Sequence, residues 1–201
     1  MKKKTWIYIG FFAVLFAAFY IFLYGTVDLS KSKLPILNNV MPFSFLRQDN
    51  QTITEKDVTG KVYVAEFFFT TCHGICPKLN RNMKKVAERF KNENNFLILS
   101  HTVDPETDSV GRMKVYADSL GADIKHWWFL TGSKENLYKA ARESYILDDP
   151  QNSSLNISEQ FLHTQFFALV DKNGRVRGIY DGLKDDEIQK LFNDIVDLEK
   201  D

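Results

Sequence analysis

Three consecutive segments limit most what this chain can fold into: Lys61-Val62-Tyr63-Val64-Ala65-Glu66-Phe67-Phe68-Phe69, then Cys72-His73-Gly74-Ile75-Cys76-Pro77, then a helical pattern. The first is a nearly continuous β-forming run, the composition of a strand buried on both faces of a sheet. Beyond Pro77, Leu79, Met83, Val86, Ala87 and Phe90 recur at helical spacing with basic residues between them. A doubly buried strand that turns directly into an amphipathic helix opens a βαβ unit. The sheet should therefore contain parallel strands, with helices over its faces.

The rest of the chain extends that plan. Phe43 to Leu46 and Gln51 to Thr54 flank Asp49-Asn50, which predicts a small hairpin at the entrance to the domain. Phe96 to Leu99 reads as a strand. A helix is predicted from about Ser109 to Leu120, capped by Asp108 or Ser109 and closed by Gly121. Trp127 to Leu130 is a short strand, and Leu137 through Tyr145 is helical. Phe166 to Val170, the turn Lys172-Asn173-Gly174 and Val176 to Tyr180 form an antiparallel hairpin, followed by a helix on Ile188, Leu191, Phe192, Ile195 and Val196. A βαβ half followed by a ββα half is the thioredoxin plan. The expected class is therefore α/β, a thioredoxin-like fold with an N-terminal hairpin extension, preceded by one transmembrane helix.

That last element comes from the N-terminus. Trp6 to Tyr24 contains no charged residue and, at about 1.5 Å per helical residue, matches a hydrocarbon core of about 30 Å. Lys2, Lys3 and Lys4 precede it, and the positive-inside rule then keeps residues 1–5 in the cytoplasm. A cleaved signal peptide would have a shorter apolar region and a small-x-small end, whereas this one ends Tyr20-Ile21-Phe22-Leu23-Tyr24. The expected organisation is residues 1–5 cytoplasmic, 6–24 a membrane anchor, 25–37 a polar tether and 38–201 a single domain outside the cytoplasm, in the periplasm or its equivalent. Twenty-six basic residues balance 26 acidic ones over 201 residues, so no basic face advertises nucleic acid.

The chain has two cysteines, and both lie where the buried strand gives way to its helix. Sites in open α/β sheets gather beyond the carboxyl ends of strands, and a helix N-terminus favours thiolate. Lowered thiol pKa values, and reactivity or metal binding, are therefore expected of Cys72 and Cys76. A structural staple would be poorly placed here, since so short a loop gains only about 2 kcal/mol against about 4.7 for a 100-residue loop. Thioredoxin-type redox motifs have a two-residue spacer, and this one has three. If the segment is helical, both sulfurs sit on one face and can point at one atom.

The third donor is then sought among the four histidines. His73, between the cysteines, His101, after a strand, and His126, before the tryptophan pair, read as surface or structural residues. His163 lies in Phe161-Leu162-His163-Thr164-Gln165-Phe166, where thioredoxin-like proteins place a cis-proline facing the cysteine pair. This stretch has no proline, which makes His163 the expected third donor. Two thiolates and an imidazole suit Cu(I), and Cu(II) with an added ligand; zinc would also accept them with water.

Together these features resemble the SCO/SenC family of copper proteins involved in assembling cytochrome c oxidase. The resemblance runs from about Pro42 to the C-terminus. It rests on Phe69-Thr70-Thr71-Cys72, the Cys-x3-Cys-Pro of Cys72 to Pro77, Asp104-Pro105-Glu106-Thr107-Asp108, Trp128-Phe129-Leu130-Thr131-Gly132, and a histidine before Phe166 to Gly174. It implies Cys72, Cys76 and His163 as ligands of one copper per chain, Cu(I), Cu(II) or both. It also implies cytochrome c oxidase subunit II as the partner whose dinuclear site is loaded, and a thiol reductant of the thioredoxin type to reset an oxidised Cys72–Cys76 pair.

Two positions depart from the family pattern. Many members carry Asp-His-Ser around the ligand histidine, where this chain has Leu162-His163-Thr164, and His73 is not the commonest residue after the first cysteine. Asp104 to Asp108 reads either as carboxylates assisting the site or as turn and cap chemistry. Met83, Trp127 and Trp128 read as packing. A metallochaperone that binds copper and hands it on is the leading function. A thiol–disulfide oxidoreductase using the same cysteines, or a redox or copper sensor, are the rivals.

Overall fold

Among the described residues, eight strands form one sheet in the order β1-β8-β7-β4-β5-β6-β2-β3. They are β1 (Asn38–Asn39), β2 (Ser44–Arg47), β3 (Thr52–Thr54), β4 (Val62–Phe68), β5 (Phe96–Thr102), β6 (Trp127–Thr131), β7 (Phe166–Val170) and β8 (Arg175–Asp181). The helices are α1 (Lys2–Thr26), α2 (Glu55–Val58), α3 (Cys76–Phe90), α4 (Val110–Leu120), α5 (Lys134–Lys139), which runs on as a π-helical segment (Ala140–Ser144), and α6 (Asp185–Lys200). The structure is a computed structural model that describes residues 2–26, 34–72, 74–149, 154, 156, 157, 160, 162 and 164–200.

β4 is the central strand, parallel to β5 from Val62↔Phe96 to Phe68↔Thr102 and antiparallel to β7. β6 adds in parallel beyond β5, and the β2–β3 hairpin closes that side. Alternation along β4 divides the core into two layers. Val62, Val64 and Phe68 pack with Leu79, Met83 and Val86 of α3 and with α6. Tyr63, Ala65 and Phe67 pack with Leu137, Tyr138 and Tyr145 on the opposite face. With helices on both faces, every residue of β4 is buried, as its composition requires.

The thioredoxin-like plan and the N-terminal hairpin are both present, and several details differ from the sequence reading. β1 is an additional edge strand, paired to β8 through Asn38↔Val176; two asparagines carry no β signal. α2 is a single turn whose capping box joins Thr54 to Asp57. The helix read as Leu137 to Tyr145 begins at Lys134 behind the Ser133 N-cap and ends in π form. Ser109, rather than Asp108, caps α4, accepting the Arg112 N–H at 3.4 Å, and Gly121 closes that helix with φ 70.

Residues from Lys33 through Glu199 form one compact unit, and α1 belongs to another. Within α1, Lys4–Phe22 is long and apolar enough to cross a membrane. Leu34 and Pro35 accept bonds from the Arg177 guanidinium, and the Leu37 N–H donates to Val176 O at 2.8 Å, so the end of the segment read as tether lies along β8.

Gly182, after β8, is a point of close approach. Its N–H donates to Gln165 O at 2.8 Å and its carbonyl accepts from Asn82 Nδ2 at 2.7 Å. A Cβ here would lie 2.6 Å from Phe167 Cζ and 2.8 Å from Gln165 O. Gly182→Ala should cost about 1–3 kcal/mol by overpacking, read as a lowered denaturant midpoint at unchanged slope.

Glu66 is the one charged residue in β4, and its Oε1 accepts from Ser100 Oγ at 2.6 Å while Ser100 Oγ accepts from Trp127 Nε1 at 2.8 Å. Burial pushes its carboxyl from an ordinary 4.5 up to about 7, against the opposing Ser100 bond. Between those values the folded state holds a proton that the unfolded chain has lost, so stability falls as pH rises through that window. Glu66→Gln should therefore be more stable than the parent above about pH 7, by about 1–3 kcal/mol, and the two should converge below about pH 4.5 in denaturation curves across pH.

Candidate metal centre

At the carboxyl end of β4 the chain must turn from a sheet into α3, and three anchors control that turn. The Cys72 N–H donates to Phe69 O at 3.2 Å. The Thr70 N–H and hydroxyl both donate to the carboxylate of Asp108, which also accepts from Thr102 Oγ1 at 2.6 Å. The Arg112 Nε donates to Thr70 Oγ1 at 2.7 Å and stands 3.9 Å from Asp108 Oδ1. Asp108 has no exposed surface. A charge at that depth is tolerable only when paired and hydrogen-bonded, and here the bonding tethers the approach to Cys72.

α3 starts at Cys76, with Pro77 in its first turn and Ile75 as an N-cap offering no side-chain oxygen. Cys72 thus lies in the preceding loop, so the two cysteines do not share a helical face as the helical spacing would have it. The turn still brings them together. Both border a cavity of about 320 Å³, along with Phe69, Val103, Leu162 and Thr164. Both cysteines are free; Cys76 is buried and Cys72 half-buried.

The expected depression of the thiol pKa fails for Cys76. Burial pushes it up to about 12, and the hydrogen bond and charge of Cys72 act in the same direction, opposed by a bond from the backbone of Phe69. The magnitudes explain the sign. A helix N-terminus contributes about 0.3–1 kcal/mol and about 2 at most, whereas removing an ion from water costs several. A buried thiol of this kind gives up its proton when a cation arrives to replace it, and two adjacent sulfurs favour a soft cation.

His163 and His73 lie outside the described residues. The positions flanking 163 border the same cavity as the cysteines: Leu162 is buried, and the Thr164 hydroxyl accepts the Phe166 N–H at 3.2 Å. Among the described residues no group of three His, Cys, Asp or Glu side chains is placed to hold a metal. His101 is inside β5 with no exposure, stacked on Phe67 at 5.0 Å, and burial lowers its pKa to about 4. The His126 ring sits 3.4 Å from Phe96 O. Asp104 accepts the Thr107 N–H at 3.3 Å and so shapes its own turn. Met83, Trp127 and Trp128 are packed in the core, with the Trp128 Nε1 donating to Ile124 O.

Asp108 belongs to the stretch read either as carboxylates assisting the site or as turn and cap chemistry, and it ties the β4 exit rather than capping α4. Tyr138 was not singled out by sequence reasoning, yet its hydroxyl accepts the Leu162 N–H at 3.1 Å.

Comparison with known proteins agrees with this geometry. The SCO1 protein homolog of Bacillus subtilis is 30% identical over 167 residues, covering 81% of this chain and 84% of the relative. The structure of BsSco, a member of the Sco family of cytochrome c oxidase assembly proteins in which a disulfide switch was identified, superposes with a TM-score of 0.69. It is 29% identical and covers 83% of this chain and 98% of that one. Copper-bound ScoI of Arabidopsis thaliana shares the fold, with a TM-score of 0.59 and 24% identity over 78% of this chain and 97% of that one. The SCO1/SenC family model spans residues 35–198, nearly the whole of the sheet and its helices. With both cysteines at the strand-to-helix turn and a match of that extent, the chain belongs to the SCO1/SenC family.

Proposed function

We propose that this protein is a copper metallochaperone. It takes up one copper through Cys72, Cys76 and His163 and delivers it to the dinuclear copper site of cytochrome c oxidase subunit II. The observation that carries this reading is the pair of free cysteines bordering one cavity with both neighbours of residue 163. The donors fit the metal: a buried thiol with no compensating cation, a second sulfur beside it, and a segment containing an imidazole residue. Copper is cargo, held by this chain and passed on.

Thiol–disulfide exchange is the second reading, and the closeness of the two cysteines favours it. Joining Cys72 and Cys76 removes two electrons and two protons and leaves no thiolate to bind metal. A dithiol reductant of the thioredoxin type must then return both before copper is bound again. The two chemistries share one site and exclude each other at any moment.

Three variants separate them. In His163→Ala the thiols persist, so disulfide formation should continue, stable Cu(II) binding should be lost and Cu(I) binding should weaken. Oxidase assembly should fail as severely as in Cys72→Ser or Cys76→Ser. A mild His163→Ala phenotype beside severe cysteine variants would favour the oxidoreductase, and normal copper binding by His163→Ala would overturn the ligand assignment.

We further propose that α1 anchors the protein, with the N-terminus in the cytoplasm and the domain outside, where the copper sites of a membrane oxidase are loaded. The apolar stretch Lys4–Phe22 supports the span, and Lys2 to Lys4 support the orientation. A reporter active only outside the cytoplasm, fused after Asp201, should be active; activity of a cytoplasm-dependent reporter at that position would reverse the topology.

A further inference from the structure

The cysteine turn is tied down by a buried carboxylate, but the segment on the other side of the cavity is held differently. Tyr138, on α5, is 1% exposed. Its hydroxyl accepts the Leu162 N–H at 3.1 Å and donates toward Val103 O at 3.1 Å, with Gln160 O at 3.4 Å. Val103 and Leu162 both border the cavity with Cys72 and Cys76. The Val103 N–H in turn donates to Phe68 O at 2.9 Å, one residue before the Phe69 carbonyl that receives the Cys72 N–H. One hydroxyl thus closes a continuous path of bonds from the main chain at Leu162 to the cysteine turn.

Leu162 is one of the two positions that depart from the family pattern in the sequence reading. Its side chain is in the core, so it offers no polar group to a neighbouring ligand. The segment is positioned instead through its main chain at Tyr138, with a second tie from Arg142, whose guanidinium bonds both Asp148 and the Gln160 side chain. Leaving a buried N–H without its acceptor costs about 1–3 kcal/mol, and the chain relieves that cost by moving.

We propose that Tyr138 is a positioning residue of the copper centre: its hydroxyl holds the main chain at Leu162, next in sequence to the proposed ligand His163, against the strand end that leads to the cysteine turn. The inference rests on the ligand reading proposed above. It predicts a selective effect. Cu(I) can be held by two thiolates alone, whereas Cu(II) needs the imidazole in place.

The test uses the full-length protein in detergent, titrated anaerobically with Cu(I) and separately with Cu(II), and followed by visible charge-transfer bands and electron paramagnetic resonance. Tyr138→Phe should lose at least about tenfold in Cu(II) affinity with a changed Cu(II) signature. Its Cu(I) affinity and its rate of Cys72–Cys76 oxidation should stay at parental values. Val58→Ala, a core truncation on α2 remote from the cavity, serves as the control for lost stability and should leave the Cu(II) signature unchanged. Should Tyr138→Phe not fold, Gln160→Ala removes the tie to Arg142 and should shift Cu(II) binding in the same direction by a smaller factor. Equal effects of Tyr138→Phe and Val58→Ala on Cu(II), or none from either, would overturn the positioning role. So would a His163→Ala protein that loses Cu(II) beside a Tyr138→Phe protein that binds it normally. A His163→Ala protein that keeps Cu(II) would instead overturn the ligand reading itself, and the positioning role with it.

Discussion

β4 meets water on neither face, and most of what the domain can do follows from that confinement. A strand covered on both sides can present reactive groups only at its ends, and the parallel pairing with β5 puts the carboxyl ends of both strands on the same side of the sheet. The residues just beyond those ends are Thr70 and Cys72 from β4 and Val103 from β5. Asp108, which follows β5 and precedes α4, reaches back to Thr70 and Thr102, so one carboxylate sets how the β4 exit stands relative to the β5 exit. The geometry of the thiols is therefore inherited from the sheet register and is not an independent property of a six-residue loop.

The same confinement makes Cys76 a poor nucleophile in water. Its sulfur is buried where an anion is costly, and the helix it begins cannot make up the difference. A metal cation changes the balance, because the charge that burial penalises is neutralised at the point where it forms. Cys72, half-buried, is the more accessible sulfur. Cys76 is the inner, protected member of the pair.

How much of this was legible in the sequence depends on how local the cause was. β4, β5, β6, the β7–β8 hairpin and α6 are set by runs and periodicities of a few residues, and the fold class followed from their order. The Ser109 cap and Gly121 closure of α4 are equally local. β1 escaped because two asparagines pair with β8 only through tertiary context, and the π-helical continuation of α5 has no compositional mark. The loop position of Cys72 was hidden because Cys-x3-Cys spacing is compatible with a helix, whereas α3 begins only at Cys76. Asp108 and Tyr138 act on partners 38 and 24 residues away, and no pattern in one sequence connects such pairs. His163 was read from the place its fold reserves for proline, an argument independent of the described residues.

The two sides of the cavity are secured by different groups. On the cysteine side the ties converge on the buried carboxylate of Asp108, which accepts from Thr70 and from Thr102. On the other side the segment hangs from a neutral hydroxyl, whose bonds contribute about 0.5–1.5 kcal/mol each. Both borders of the cavity are thus held by side chains that do not line it, Asp108 and Tyr138, so a substitution at either position can alter the cavity without touching its surface.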